Sequence, residues 1–191
     1  MKRKTLISLF LLLITAAGIH AESRFHIHSV SLMGVEPVGR YKMDVTKTGF
    51  SAAQELYFST GGLLQFGGGF RYLFPRETRD SEQLTFIPVY TAVKLFLPVE
   101  TVPLYAKGAV GYNFIEGNSQ AVNNLGELKG GLYYSLGGGV DFPVYYTDSV
   151  RFSFIFDMGW SSYSGTARKE SSESKLSYTT MDILAGLGIR F

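Results

Sequence analysis

Thr179-Thr180-Met181-Asp182-Ile183-Leu184-Ala185-Gly186-Leu187-Gly188-Ile189-Arg190-Phe191 closes the sequence. Met181, Ile183, Ala185, Leu187, Ile189 and Phe191 fall on one parity, whereas Asp182, Gly186, Gly188 and Arg190 fall on the other. Side chains alternate across a strand, so the stretch reads as a strand with one apolar face and one face of charge and glycine. If the apolar face meets lipid, the logic of a soluble sheet is inverted and the polar residues lie inside.

Six further runs repeat the pattern, each bounded by polar residues, Gly or Pro. Their apolar parities run Phe50 to Phe58, Leu64 to Phe74, Ile87 to Leu97, Leu104 to Phe114, Leu132 to Phe142 and Val150 to Trp160. The opposite parity holds Glu55, Arg71, Lys94, Lys107, Asp141, Arg151, Asp157, Asp182 and Arg190, while no charge falls on the apolar one. It is also rich in small residues such as Gly67, Gly69, Ala92, Ala109, Gly111, Ser135, Gly137 and Ser153, which leave room for long charged side chains inside a narrow barrel. A Lys or Arg facing lipid at the midplane costs about 2–4 kcal/mol, and a charge-free face is what that cost leaves behind. Charges turned inward must pair, so five basic and four acidic residues are expected to form a nearly neutral interior network, with Glu55 and Arg71 in one cluster.

An eighth strand is expected between about Phe25 and Tyr41, because bacterial single-chain barrels use even strand numbers. Its pattern is the poorest: Phe25 and Ile27 share one parity, Val30 and Leu32 the other, which points to a bulge or to an inverted phase. The connections alternate in length. Those at 59–62, 98–101 and 145–149 are tight, while 42–48, 75–85, 115–130 and 162–177 are longer and polar. This predicts an up-and-down barrel with short turns and both termini on the periplasmic rim and the long loops outside.

Lys2, Arg3 and Lys4 precede an apolar run from Leu6 to Ala17, followed by small residues to Ala21. Residues 1–21 are read as a secretory signal peptide and 22–191 as one barrel domain. Of 18 Lys+Arg and 16 Asp+Glu, the leader holds three basic residues and no acidic one. What is left is 15 against 16, a net charge near minus one. No nucleic-acid footprint is expected from that balance. With no Cys in the chain, neither a disulfide nor a thiolate metal site can contribute.

Little in the sequence points to chemistry. His26 and His28 share one face of a strand and could serve as a metal pair or as the base of a lipid-modifying enzyme. No Asp, Glu or Ser stands near them with recognisable nucleophile spacing. Gly67 to Gly69 and Gly137 to Gly139 sit within strands and lack the Gly-Lys-Ser/Thr of a phosphate loop, so they read as close backbone packing. Asp141 and Asp157 read as partners of Arg151 rather than as a catalytic pair, and the charges at 76–82 and 168–175 as solvated loop tips. A secreted, lipocalin-like soluble barrel and a narrow pore are the other architectures the alternation allows.

Gly67-Gly68-Gly69-Phe70-Arg71-Tyr72, the run from Tyr105 to Phe114, and Phe191 preceded by Ile189 and Leu187 resemble the small eight-stranded outer-membrane β-barrel proteins of the OmpA/OmpX type. The resemblance implies an all-β, eight-stranded antiparallel transmembrane barrel in the bacterial outer membrane. It also implies that Leu187, Ile189 and Phe191 form the signal read by the barrel assembly machinery. Members have diverse roles, so no activity is carried over. The expected protein is a monomeric, non-catalytic barrel without cofactor, whose partners are outer-membrane lipids, the assembly machinery and an extracellular ligand of the loops.

Overall fold

The computed structural model describes residues 26–36, 40–41, 48–59, 63–77, 82–98, 103–147, 149–169 and 172–191, so the leader, most of 42–48 and several turn tips lie outside it. The strands are β1 (His26–Glu36), β2 (Arg40–Tyr41), β3 (Gly49–Ser59), β4 (Leu64–Glu77), β5 (Gln83–Phe96), β6 (Leu104–Gly117), β7 (Glu127–Tyr146), β8 (Arg151–Lys169) and β9 (Ser172–Arg190). From β3 onward each pairs antiparallel with the next, and β1 pairs with both β3 and β9 to close the ring. The two residues of β2 pair with Thr179 and Tyr178, further along the β9 edge that β1 occupies. Among the described residues the ring therefore has eight staves, and closure leaves no free sheet edge.

The alternation read from sequence sets the facing of seven staves. In β3, Ser51, Ala53, Glu55, Tyr57 and Ser59 are buried, while Phe50 and Phe58 are exposed. Likewise Val89, Val110, Leu136, Phe154 and Leu187 face outward on their strands. The outward aromatics pair along single strands, with Tyr72–Phe74 and Tyr112–Phe114 ring centroids 5.4 and 4.9 Å apart, edge to face.

β1 takes the inverted phase. Its register against β3 runs unbroken from His26↔Ser59 to Glu36↔Gly49, so no bulge interrupts it. Val30 and Leu32 point inward with His28 and Glu36, while Ser31 and Met33 are exposed outside. The apolar pair belongs to the interior because one inward residue on that parity is a carboxylate. Outside, Gln54 of β3 compensates: Ser31 Oγ donates to its Oε1 at 2.6 Å and its Nε2 donates to Ser29 Oγ at 3.0 Å.

Of the expected long loops, 162–177 is strand at every described residue. β8 and β9 have 19 residues each and pair up to Lys169↔Ser172, through the described residues of 162–177. Nineteen residues are about 60 Å of extended chain, or about 45–50 Å of height at a tilt near 40°, against an apolar band of about 25 Å. The outward face of β8 changes accordingly, from Phe152, Phe154, Phe156, Met158 and Trp160 to Ser162, Ser164 and Thr166. Alternation persists past the apolar band because Thr and Ser still pair in a hairpin, so polarity by itself does not mark a loop. The region 115–130 holds the rest of β6 and a single helix, α1 (Ser119–Leu125). Asn118 caps it, its Oδ1 accepting from Ala121 N at 2.8 Å, and Gly126 ends it at φ 82°, where a Cβ would meet Arg168 O.

Candidate functional site in the barrel lumen

Between the two rims the lumen is stacked in layers, and the described side chains fill it. Glu55, Arg71, Lys94, Lys107, Asp141, Arg151, Asp157, Asp182 and Arg190 all stand on inward parity, and most are deeply buried. The structure divides them among three groups rather than one network.

The middle group centres on Lys107. Its Nζ donates to both oxygens of Glu55, at 2.6 and 2.8 Å, and to Asp157 Oδ2 at 2.8 Å. Glu55, 1 % exposed, also accepts from Tyr57 Oη at 2.9 Å and Tyr90 Oη at 2.7 Å, and Tyr105 Oη donates to Asp157. Lys94 is wholly buried and its Nζ has no hydrogen-bond acceptor; it lies 4.2 Å from the Tyr57 ring centroid and 4.7 Å from that of Tyr105. Two carboxylates thus hold the hydroxyls of the rings on which the second cation rests. The layer is balanced, two lysines against Glu55 and Asp157.

Above it lies Arg71. Its Nη1 donates to Asp182 at 2.7 Å, its Nη2 lies 2.8 Å from Glu36 Oε1, and Nε and Nη2 donate to Ser51 Oγ at 3.0 and 2.8 Å. Arg76 pairs with the other oxygen of Glu36, which also accepts from Tyr178 Oη at 3.2 Å, and Ser161 donates to Asp182. Arg76 is therefore no solvated tip. A register shift between Leu73 and Arg76 turns it inward, at a place where Pro75 can give no ladder hydrogen bond. Glu55 and Arg71 line one void of about 30 Å³, room for a water or two, and hold different partners across it.

The third group lies toward the rim that carries Phe191. Arg151 pairs with Asp141 at 3.5 Å, and His28 Nε2 is 4.0 Å from Asp141. Asp157, six residues further along β8 than Arg151, is beyond its reach and belongs to Lys107. His26 is exposed at the rim while His28 is buried, and among the described residues no three His, Cys, Asp or Glu gather as a metal site would require.

At the opposite end aromatic rings plug the lumen. Centroids of Tyr90–Tyr133, Tyr133–Tyr163, Tyr163–Tyr178 and Phe86–Tyr178 are 5.1, 5.2, 5.3 and 5.5 Å apart. Leu84, Ile115, Ala167 and Leu176 continue this core, and Ala121 of α1, with Leu125 beside it, lies over it. The inward glycines supply the space the rings take: a Cβ at Gly111 would stand 2.7 Å from Tyr90 Cβ, and one at Gly139 2.8 Å from Tyr105 Oη. Sequence reasoning missed Glu36, Arg76 and the tyrosines, although Tyr57, Tyr90, Tyr105 and Tyr133 lie on the parity that holds the charges. Glu36, Glu55, Asp157 and Asp182 are thus held by Lys107, Arg71 and Arg76 and walled by rings.

No family model matches the sequence, and no curated protein matches it. Solved structures do. The crystal structure of Neisserial surface protein A superimposes with a TM-score of 0.56 at 13 % identity, over 90 % of this chain and 100 % of that one. The solution structure of the E. coli outer membrane protein W gives 0.54 at 12 % identity, over 91 % and 100 %. At such identities the likeness is one of fold, and it agrees with the ring of eight antiparallel staves: this chain has the fold of the small eight-stranded outer-membrane β-barrels.

Proposed function

We propose that the protein is a non-catalytic integral barrel of the bacterial outer membrane, closed to permeation, that meets its surroundings through the wall raised by β7, β8 and β9. The observation that carries this is the pairing of two opposite surfaces on one sheet. Outward, from Phe50 to Phe58, Val89 to Leu95, Val110 to Phe114 and Phe152 to Trp160, no charged residue appears. Inward, the described charges and rings fill the lumen, as expected of eight strands.

The contact surface is strand rather than loop. Above Trp160 the outward parity of the β8–β9 hairpin carries Ser162, Ser164, Thr166, Ser177 and Thr179, of which Ser162 is buried and accepts from Thr179 Oγ1 at 3.2 Å and Ser164 donates to Leu132 O at 2.7 Å. Exposed Ser177 and half-buried Thr166 and Thr179 offer hydrogen bonds to a polar partner on a paired backbone. Leu187, Ile189 and Phe191 face outward beside the closing seam, where Phe191 and Ile27 exchange backbone hydrogen bonds of 2.9 and 3.2 Å. That placement suits a signal held at the seam for the assembly machinery, after removal of residues 1–21.

Cell fractionation with gel migration before and after boiling tests the reading. Recovery in the outer membrane with a heat-modifiable band is expected; recovery in the periplasmic fraction would refute it. Planar-bilayer recordings of the purified protein are expected to show no stable channel, and reproducible steps would refute closure.

A further inference from the structure

At the rim carrying His26 and Phe191 the charges of the described side chains no longer balance. Arg151 of β8 stands directly opposite Arg190 of β9, and Arg190 stands directly opposite His28 of β1, so two guanidiniums and an imidazole share one row on adjacent strands. Like charges directly opposed across an antiparallel pair repel. His26 stands exposed at the mouth. Among the described side chains of this end only Asp141 is acidic, and Arg151 and His28 already share it. Arg190 has no carboxylate within ion-pair distance among the described residues. Arg151 Nε and both ring nitrogens of His28 are buried without a hydrogen-bond partner.

The row does not face a wall. It opens on a recess of about 380 Å³ lined by Arg151, Arg190, His26, Thr147, Ser149 and Pro143, far larger than the void between the balanced groups higher up. We infer that this recess is a binding site for a phosphate group, clamped between Arg151 and Arg190, with His26 and the Ser149 hydroxyl as further donors. Two guanidiniums side by side present forked donors that match the several oxygens of a tetrahedral oxyanion better than the two coplanar oxygens of a carboxylate. The anion completes the charge of the layer, as Glu55 and Asp157 do for the lysines above it. Its source is either free phosphate or the headgroup of a phospholipid whose tails lie along the outward face beside Phe191 and Phe152. The site rests on the barrel's geometry and not on its cellular location.

The test uses the full folded barrel in an uncharged maltoside detergent, with Arg side-chain Nε–H resonances and the temperature of unfolding as readouts. One titration adds inorganic phosphate against chloride at matched ionic strength. A second adds phosphatidylglycerol against diacylglycerol, which lacks the phosphate. Saturable shifts of the Arg151 and Arg190 resonances are expected, weakened about tenfold or more in Arg190→Gln and in Arg151→Gln. Without phosphate, Arg190→Gln is expected to unfold at or above the wild-type temperature, because it relieves a repulsion, and with phosphate the order reverses. Saturation by both ligands assigns a free-phosphate site, and by the lipid alone a headgroup site. If neither ligand saturates, or if both variants respond as the wild type does, the inference is overturned.

Discussion

Lys107→Met is the sharpest test of how the lumen is held together. The substitution keeps the length of the side chain and removes one cation from between Glu55 and Asp157, with Nζ–O distances of 2.6, 2.8 and 2.8 Å. At an effective dielectric near 20, each contact of about 2.7 Å is worth about 6 kcal/mol of Coulomb energy, most of it offset by desolvation of the ions. Breaking a buried pair from one side leaves the opposite charge uncompensated, and about 3–5 kcal/mol of stability is expected to go. Lys94 then faces two carboxylates alone, from above the tyrosine rings. In Lys107→Met with Glu55→Gln the layer is balanced again, Lys94 against Asp157. The double variant is therefore expected to recover about 2 kcal/mol or more of the loss, a coupling that two independent sites would not show. Urea unfolding in lipid vesicles can follow this through Trp160, the one tryptophan of the chain, which is 62 % exposed on the outward face. A single variant within about 1 kcal/mol of wild type, or strict additivity in the double, would refute the pairing that the geometry describes.

Lys94→Met should cost less than Lys107→Met by about 2 kcal/mol or more in the same assay, since a thioether also packs against the Tyr57 and Tyr105 rings and a buried ammonium without an acceptor is given up. Gln54→Leu is expected to destabilise the barrel in vesicles by about 1–3 kcal/mol, because it strands the outward hydroxyls of Ser29 and Ser31; stability unchanged or raised would refute the compensation. Gly186→Ala should cost about 1–3 kcal/mol or more, because its Cβ would stand 1.9 Å from Ser31 O across the closing seam, whereas Gly108→Ala, with nothing within 4 Å, should be neutral; equal effects of the two would refute the packing account.

What was legible in the sequence follows from which forces act locally. Period-two alternation is a property of each strand by itself, so the facing of Glu55, Lys107, Asp157 and Asp182 could be read without knowing their partners. Pairing is a property of the closed ring: that Lys107 meets Glu55 depends on β3 and β6 facing each other across the lumen, and alternation says nothing of that. Polarity misled at 162–177, where hydroxyl-rich strands pair as regularly as apolar ones, Gly165 included. The helix had signals, Asn118 as cap and Gly126 as stop, but its seven residues are too few for an apolar period to emerge.

The two departures that sequence alone did not settle are coupled through charge. Taken by itself, the inverted phase of β1 brings Glu36 into the lumen and leaves the Arg71–Asp182 layer with an extra buried carboxylate. Taken by itself, the register shift at Pro75 brings in Arg76 and leaves an extra buried cation. Either alone would strand an ion at a cost of several kcal/mol; together they cancel, and Glu36 bridges Arg71 and Arg76 while accepting from Tyr178. Neutrality of each closed layer is thus a constraint on phase that hydrophobic periodicity does not carry. Applied to β1, it chooses the parity of Glu36 over that of Ile27, and applied to β4 it asks for a cation after Leu73. Applied to the rim at Phe191, the same constraint finds Arg151 and Arg190 against Asp141, and no second acidic side chain among the described residues stands there.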